Sequence, residues 1–206
     1  YPENQKAALE KQIEEHRAKV AERFNSKKFV VYFQAYTTTF NQLQKIKQAF
    51  EVALSYPDMV GIVVGTRPDC LSDALLDLWK ETSEKTFLAV EIGVQSFDNK
   101  QLDWMRRGHT AEQSIKGIQR IHQHCPKVDL GVHMMFGWPG ETEADVIRSA
   151  EICNSLPIQN VKLHNLHVLK NTPLEKMFFA EEFTPIEFEE YCRVVGVFLS
   201  HLSPNI

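Results

Sequence analysis

The sequence lacks long hydrophobic runs and closely spaced cysteines. No apolar stretch approaches the roughly 18 residues that a membrane-spanning helix needs, and the first residues do not resemble a signal peptide. The cysteines are far apart, so the chain has no Cys-x-x-Cys pair that would indicate a metal site. We therefore expect a cytoplasmic protein that supplies no metal ligands and whose cysteines are free thiols: Cys70, Cys125, Cys153 and Cys192.

Basic residues are not in excess either. The chain has 23 Lys and Arg against 27 Asp and Glu, a net charge of −4 and a pI near 6.1. This balance gives no overall attraction to nucleic acid or to an anionic membrane, so neither is indicated as a partner. With 43% hydrophobic and 24% charged residues among 206, the composition is that of an ordinary globular protein. We expect residues 1–206 to form one domain or a large part of one.

Helix and strand patterns alternate along the chain. Helical periodicity is present at about residues 3–24, 40–55, 72–84, 98–106, 111–124, 143–155 and 184–201. Strand patterns fall between them at about 28–36, 60–66, 87–95, 128–136 and 160–169. Several of the helices are preceded by a residue type that caps a first turn, namely Ser72, Asp98, Thr110, Thr142 and Thr184-Pro185. This order predicts a parallel α/β sheet with helices outside.

Two of the predicted strands carry polar residues on one face only. In the third strand, apolar residues alternate with Glu91, Gly93 and Gln95, and in the fourth they alternate with Gly131 and His133. Successive side chains of a strand point to opposite faces, so the apolar set should meet helices. The polar set should then face a functional space.

This one-sided polarity separates two α/β architectures. A doubly wound sheet is covered by helices on both faces, so both sets of side chains should be apolar. Here one set is repeatedly small or polar, and the second strand shows the same with Gly61, Gly65 and Arg67. We therefore predict a (β/α) barrel whose interior holds a ligand at the C-terminal strand ends. Five strands are too few to close a barrel, so we expect a partial barrel that is incomplete at both ends.

Five short motifs then occur in an order that resembles the core of the radical S-adenosylmethionine (SAM) superfamily. They are Tyr32-Phe-Gln-Ala-Tyr-Thr37, Thr66-Arg-Pro-Asp-Cys-Leu71, Gly93-Val-Gln-Ser-Phe97, Arg106-Arg-Gly-His109 and Met135-Phe-Gly-Trp-Pro-Gly-Glu-Thr142. The last three are similar to coproporphyrinogen-oxidase-like members. The first two resemble the YhcC-like branch of iron–sulfur oxidoreductases.

The resemblance implies an enzyme that uses SAM and a [4Fe–4S] cluster. In the family, the cluster passes an electron to SAM and a 5′-deoxyadenosyl radical forms, which abstracts hydrogen from a substrate. The family's Cys-x3-Cys-x2-Cys triplet, which holds the cluster, is absent from this sequence. We expect it directly before Tyr1, in a longer protein that receives electrons from a donor such as flavodoxin or ferredoxin. The substrate is not indicated, and the 206-residue fragment is expected to be inactive.

The resemblance also implies roles for particular residues. The segment 34–37 would meet the methionine amino group, Gln95 would lie beside the cofactor, and Arg107 would pair with the methionine carboxylate. His133 falls where related proteins have an aspartate that contacts the ribose, and residues 168–170, as a strand end, would offer backbone groups to adenine. The full set of cofactor-binding candidates is Gln34, Ala35, Tyr36, Thr37, Arg67, Glu91, Gln95, Arg107, His133 and Leu169.

Other interpretations of these residues stay open. Gln95 could reach solvent, Arg107 could cap its own helix, and His133 could be a core histidine. His164 and His167 lie three apart on a predicted strand and so face opposite sides, which argues against zinc. Lys162 shares a face with His164 and could line the interior.

Two other functions also remain open for the whole chain. One is a barrel without a cluster that binds a nucleotide or SAM as a regulatory module. The other is an ordinary (β/α) barrel enzyme with a phosphate-bearing substrate.

Overall fold

The computed structural model describes residues 3–34 and 43–206. The strands are β1 (Phe29–Phe33), β2 (Met59–Thr66), β3 (Phe87–Gln95), β4 (Asp129–Phe136) and β5 (Asn160–Asn165). The helices are α1 (Glu3–Phe24), α2 (Leu43–Leu54), α3 (Asp73–Ser83), α4 (Asn99–Trp104), α5 (Ala111–His124), α6 (Glu143–Ser155), α7 (Pro173–Phe179) and α8 (Phe188–His201). Within these ranges, no helix combines the length and the apolar character that crossing a membrane requires.

The five strands form one parallel sheet in the order of the sequence, β1-β2-β3-β4-β5. The sheet curls into a half-barrel with helices outside, which confirms the predicted partial barrel. Neighbouring strands in the middle align Gly65 of β2, Glu91 of β3 and Gly131 of β4 side by side. The concave face therefore carries a charged residue flanked by two glycines.

The buried apolar side chains of the central strands point away from the concave face into the helix layer. Val90, Ile92 and Val94 of β3 and Val132 of β4 are completely buried there, as the alternation predicted. Phe198 of α8 belongs to the same core, so the C-terminal helix packs on the sheet with the others. Burial of this apolar layer fixes which face of every strand is left for polar residues.

Four of the predicted helix caps are confirmed. The side chains of Ser72, Asp98, Thr110 and Thr142 each accept a hydrogen bond from a backbone N–H in the first turn. Thr110 and Thr142 form full capping boxes, because the side chains of Gln113 and Asp145 accept hydrogen bonds from the backbone N–H groups of Thr110 and Thr142. The predicted starts of α3, α4, α5 and α6 were therefore correct.

The predicted start of the last helix was wrong. Thr184-Pro185 does not cap it, because α8 begins at Phe188 after Glu187, which makes no side-chain capping bond. The residues before the helix are held by tertiary packing instead. Phe183 is buried against Trp138, and Ile186 lies against the backbone of Gly137.

The fifth strand ends earlier than predicted. β5 stops at Asn165 because its neighbour β4 ends at Phe136. The last hydrogen bond between the two strands runs from the backbone N–H of Leu166 to the carbonyl oxygen of Phe136, at 3.1 Å. Helix α7 was not predicted, although Thr172 caps it and proline opens its first turn.

Candidate functional site

Gln95 ends β3 in an unusual backbone conformation. Its φ is +69°, in the left-handed region that side chains other than glycine rarely adopt, and only 8% of the residue is exposed. A β-bulge between Ile92 and Gln95 accompanies this turn of the backbone. Residues held in this way concentrate at functional sites. Because Gln95 is buried, the interpretation that it simply reaches solvent does not hold.

Arg107 reaches the same point from the loop after α4. Its guanidinium Nη2 donates a hydrogen bond to the carbonyl oxygen of Gly93 at 3.1 Å. A Cβ atom built on Gly93 would lie 3.0 Å from Gln95 Nε2 and 3.3 Å from Arg107 Nη2, so both side chains converge over this glycine. Arg107 therefore points to the end of β3 and does not cap its own helix.

Arg107 is a poorly compensated cation. Its Nε is buried and has no hydrogen-bond partner among the described residues. Burial and the nearby positive charge of Arg67 lower the pKa of Arg107. Arg67 donates two hydrogen bonds to the carboxylate of Asp69, from Nε at 2.8 Å and from Nη2 at 2.7 Å. Its Nη2 also donates to the backbone oxygen of Arg107 at 2.7 Å. Arg67 thus holds the loop that carries Arg107.

A second group of polar side chains converges on Glu91 from three other strands. Tyr32 Oη lies 2.5 Å, His133 Nε2 2.6 Å and Lys162 Nζ 3.7 Å from the same oxygen, Glu91 Oε2. The ring of His164 packs beside that of His133, with centroids 5.0 Å apart. These five residues are called the Glu91 cluster.

The charges in the Glu91 cluster are set by competition between burial and hydrogen bonding. Burial acts to raise the pKa of Glu91, but hydrogen bonds from Tyr32 and His133 outweigh it, and the pKa is lowered on balance. For His133, burial outweighs the attraction of the carboxylate and lowers the pKa. An ionised glutamate therefore faces a neutral histidine at pH 7.

The two groups occupy successive layers of the concave face. Glu91 precedes Gly93 by two residues on β3, and such residues share a face about 7 Å apart. The Glu91 cluster therefore lies one layer below the site formed by Gln95 and Arg107. Together they line the concave face up to the C-terminal ends of the strands, where barrels of this type carry their ligands.

Some of the candidates lie elsewhere. Ala35, Tyr36 and Thr37 fall outside the described residues, and Gln34 is exposed just after β1. The assignment of residues 168–170 to a strand end was wrong, since β5 ends before them and Leu169 is 64% exposed.

Two site residues were missed by the sequence analysis. Tyr32 donates a hydrogen bond to the carboxylate of Glu91, and its polar tip on an otherwise apolar strand was the available signal. Glu141 folds under the loop that follows β4, where its carboxylate accepts from Gly137 N–H at 2.8 Å. Burial raises the pKa of Glu141 to about 7.

The described residues do not provide an iron–sulfur site. Across residues 3–34 and 43–206, no group of three or more His, Cys, Asp or Glu side chains could hold a metal ion. The cysteines are free thiols on separate elements. The site formed by Gln95 and Arg107 does fit SAM, because a half-buried cation whose buried Nε is unpaired suits its methionine carboxylate.

Solved structures share this fold. An archaeal Elp3 from Methanocaldococcus infernus with an N-terminal deletion superposes with a TM-score of 0.75 at 21% identity, over 92% of this chain and 49% of that one. Coproporphyrinogen III oxidase from Escherichia coli gives a TM-score of 0.53 at 14% identity, over 74% of this chain and 38% of that one. At these identities the likeness shows the fold.

Two similar sequences cover nearly the whole chain. The uncharacterized protein MJ0486 of Methanocaldococcus jannaschii is 36% identical over 98% of this chain, and protein YhcC of Escherichia coli is 33% identical over 93%. The chain spans 61% of the length of each. The radical SAM superfamily model matches residues 2–153, and the radical SAM C-terminal domain model matches residues 158–206. With well over half of its length matched, the chain belongs to the radical SAM superfamily.

Proposed function

We propose that the whole protein is a cytoplasmic radical SAM enzyme whose cofactor site is formed by Gln95 and Arg107. The observation that carries this proposal is the convergence of both side chains over Gly93, with a cation that has no carboxylate partner among the described residues. A planar guanidinium can bind a carboxylate through two parallel hydrogen bonds. Arg107 would thus orient the methionine end of SAM.

The neighbouring candidates would position the remaining parts of the cofactor. Arg67 would keep Arg107 in place through its bond to the loop backbone. The segment 34–37 would meet the methionine amino group, and the backbone of Leu169 would contact adenine. Glu91 and His133 would line the cavity below, next to the space for the substrate.

When bound beside a reduced [4Fe–4S] cluster, SAM supplies a 5′-deoxyadenosyl radical that abstracts a hydrogen atom. We propose that the cluster ligands lie in a part of the longer protein outside these 206 residues, since the chain has no cysteine triplet. A small redox protein such as flavodoxin or ferredoxin would supply the electron. The concave face of the half-barrel would keep the reaction away from water.

The test is calorimetric titration of SAM into the full-length protein, reconstituted with its cluster without oxygen. Arg107→Ala and Gln95→Ala should each weaken binding by about 1–3 kcal/mol, the scale for losing a hydrogen bond to a charged group. Arg107→Lys should bind SAM more tightly than Arg107→Ala but more weakly than the wild type, because one ammonium group cannot make the two parallel hydrogen bonds of a planar guanidinium.

A matched control removes the neighbouring charge. Arg106 is exposed and has a φ of +55°, which asparagine tolerates, so Arg106→Asn should leave the affinity unchanged. Equal affinities for the wild type and both alanine variants would refute the site.

The alternative is a protein that binds SAM or a nucleotide and performs no radical chemistry. Iron and sulfide analysis of the full-length protein separates the two, because only the radical enzyme should contain about four irons per chain.

A further inference from the structure

His133 uses only one of its two ring nitrogens within the Glu91 cluster. Its Nε2 lies 2.6 Å from Glu91 Oε2, and an ionised carboxylate can only accept, so Nε2 carries the proton. The low pKa of His133 means that the ring is otherwise unprotonated at pH 7. The other nitrogen, Nδ1, therefore presents a lone pair, and no group in the described part of the chain is bonded to it.

The surroundings of this pair favour a site that changes its charge. The side chains of Glu91 and His133 are only 19% and 13% exposed, so both are largely shielded from water yet can be reached from the concave face. Tyr32 fixes the carboxylate from the opposite side at 2.5 Å. Lys162, at 3.7 Å from the carboxylate, and His164, beside the His133 ring, are the other titratable groups that face it.

We propose that Glu91 and His133 form an acid–base dyad in which Nδ1 of His133 accepts a proton from the substrate. The inference rests on the proposed radical SAM function, which places the substrate above the same concave face. The substrate class is a molecule with a hydroxyl or protonated amine near the carbon that loses hydrogen.

The proton transfer balances without any further reagent. The O–H or N–H bond of the substrate breaks, its electron pair stays on the heteroatom, and a new N–H bond forms at Nδ1 of His133. The resulting imidazolium is stabilised by the Glu91 carboxylate. Glu91 and Tyr32 are positioning residues, because they act through His133.

The free nitrogen can be reached from the concave face. His133 Nδ1 is not among the buried side-chain atoms that lack a partner in the described residues, so the surrounding groups leave it accessible. The arrangement of carboxylate, imidazole and free lone pair is the one that orients a general base.

The first experiment measures the His133 ring by long-range ¹H–¹⁵N NMR in the chain described here. We expect the neutral Nε2–H tautomer at pH 7. Glu91→Gln should lower the proton affinity of His133 at least tenfold, whereas Lys162→Met should raise it. A proton on Nδ1, or the same titration midpoint in the wild type and in Glu91→Gln, would overturn the dyad.

The second experiment separates the dyad from the cofactor site. In full-length protein with its cluster, His133→Gln keeps a hydrogen-bonding side chain but cannot accept a proton. Its affinity for SAM should stay within twofold of the wild type, while Arg107→Ala loses about fivefold or more. A loss in His133→Gln as large as that in Arg107→Ala would assign His133 to the cofactor and overturn the substrate role. An unchanged affinity in Arg107→Ala would instead refute the proposed cofactor site and leave the NMR result as the test of the dyad.

Discussion

Replacing Glu141 by glutamine should change how the stability of the protein depends on pH. The Glu141 carboxylate is buried beneath the loop after β4, and its pKa is raised from 4.5 to about 7 because burial outweighs the bonds from the Gly137 and Trp138 backbone. The folded state then holds a proton that the unfolded chain releases at lower pH. The stabilisation is complete below pH 4.5 and is lost as pH rises towards 7.

The size of the effect follows from the shift. At about 1.4 kcal/mol for each pKa unit, the shift from 4.5 to about 7 corresponds to about 2–3 kcal/mol once partial exposure is allowed for. A glutamine at position 141 can accept the same hydrogen bond from Gly137 N–H without a buried charge. Glu141→Gln should therefore match the wild type at pH 4.5 and exceed its stability at pH 8.

Urea denaturation followed by circular dichroism at several pH values measures this difference. Comparing the two proteins at each pH removes the contribution of every other titrating group. A Glu141→Gln variant that is less stable than the wild type at pH 8, or a pH-independent difference, would refute the reasoning.

Three further predictions concern packing, capping and the cluster. Gly61→Ala should destabilise the fold by about 1–3 kcal/mol, because its Cβ would lie 2.7 Å from the backbone oxygen of Phe87. Gly196→Ala, in α8 with nothing within 4 Å, should stabilise it by about 0.5–1 kcal/mol; equal urea midpoints for the two variants would contradict both. Thr142→Ala should cost about 1 kcal/mol in urea denaturation by removing the α6 capping box with Asp145, and no loss would argue against the cap. The 206-residue chain, treated with iron and sulfide without oxygen, should assemble no [4Fe–4S] cluster and form no 5′-deoxyadenosine, and product at enzyme-like turnover would disprove this.

The sequence predicted the elements that depend on local physics. The alternation in β3 identified both faces of the strand, and capping residues such as Thr110 marked helix starts, because these signals act within a few positions. The partial barrel followed from polar residues that recur on one face of successive strands.

Features that depend on distant neighbours could not be predicted in the same way. Tyr32 and Glu91 are 59 positions apart and meet only because strand order and register align them. β5 ends at Asn165 because its neighbour ends, which no local signal records. The left-handed backbone of Gln95 is likewise imposed by the surrounding fold, since a glutamine gives no local reason to adopt it.

The most direct test of the central claim is the reductive cleavage of SAM by the full-length, cluster-reconstituted protein under a chemical reductant. The account predicts that 5′-deoxyadenosine accumulates and that Arg107→Ala lowers its formation at sub-saturating SAM, while Arg106→Asn does not. An intact, reducible cluster that yields no 5′-deoxyadenosine would contradict the radical function. Equal rates for the wild type and Arg107→Ala would contradict the cofactor site.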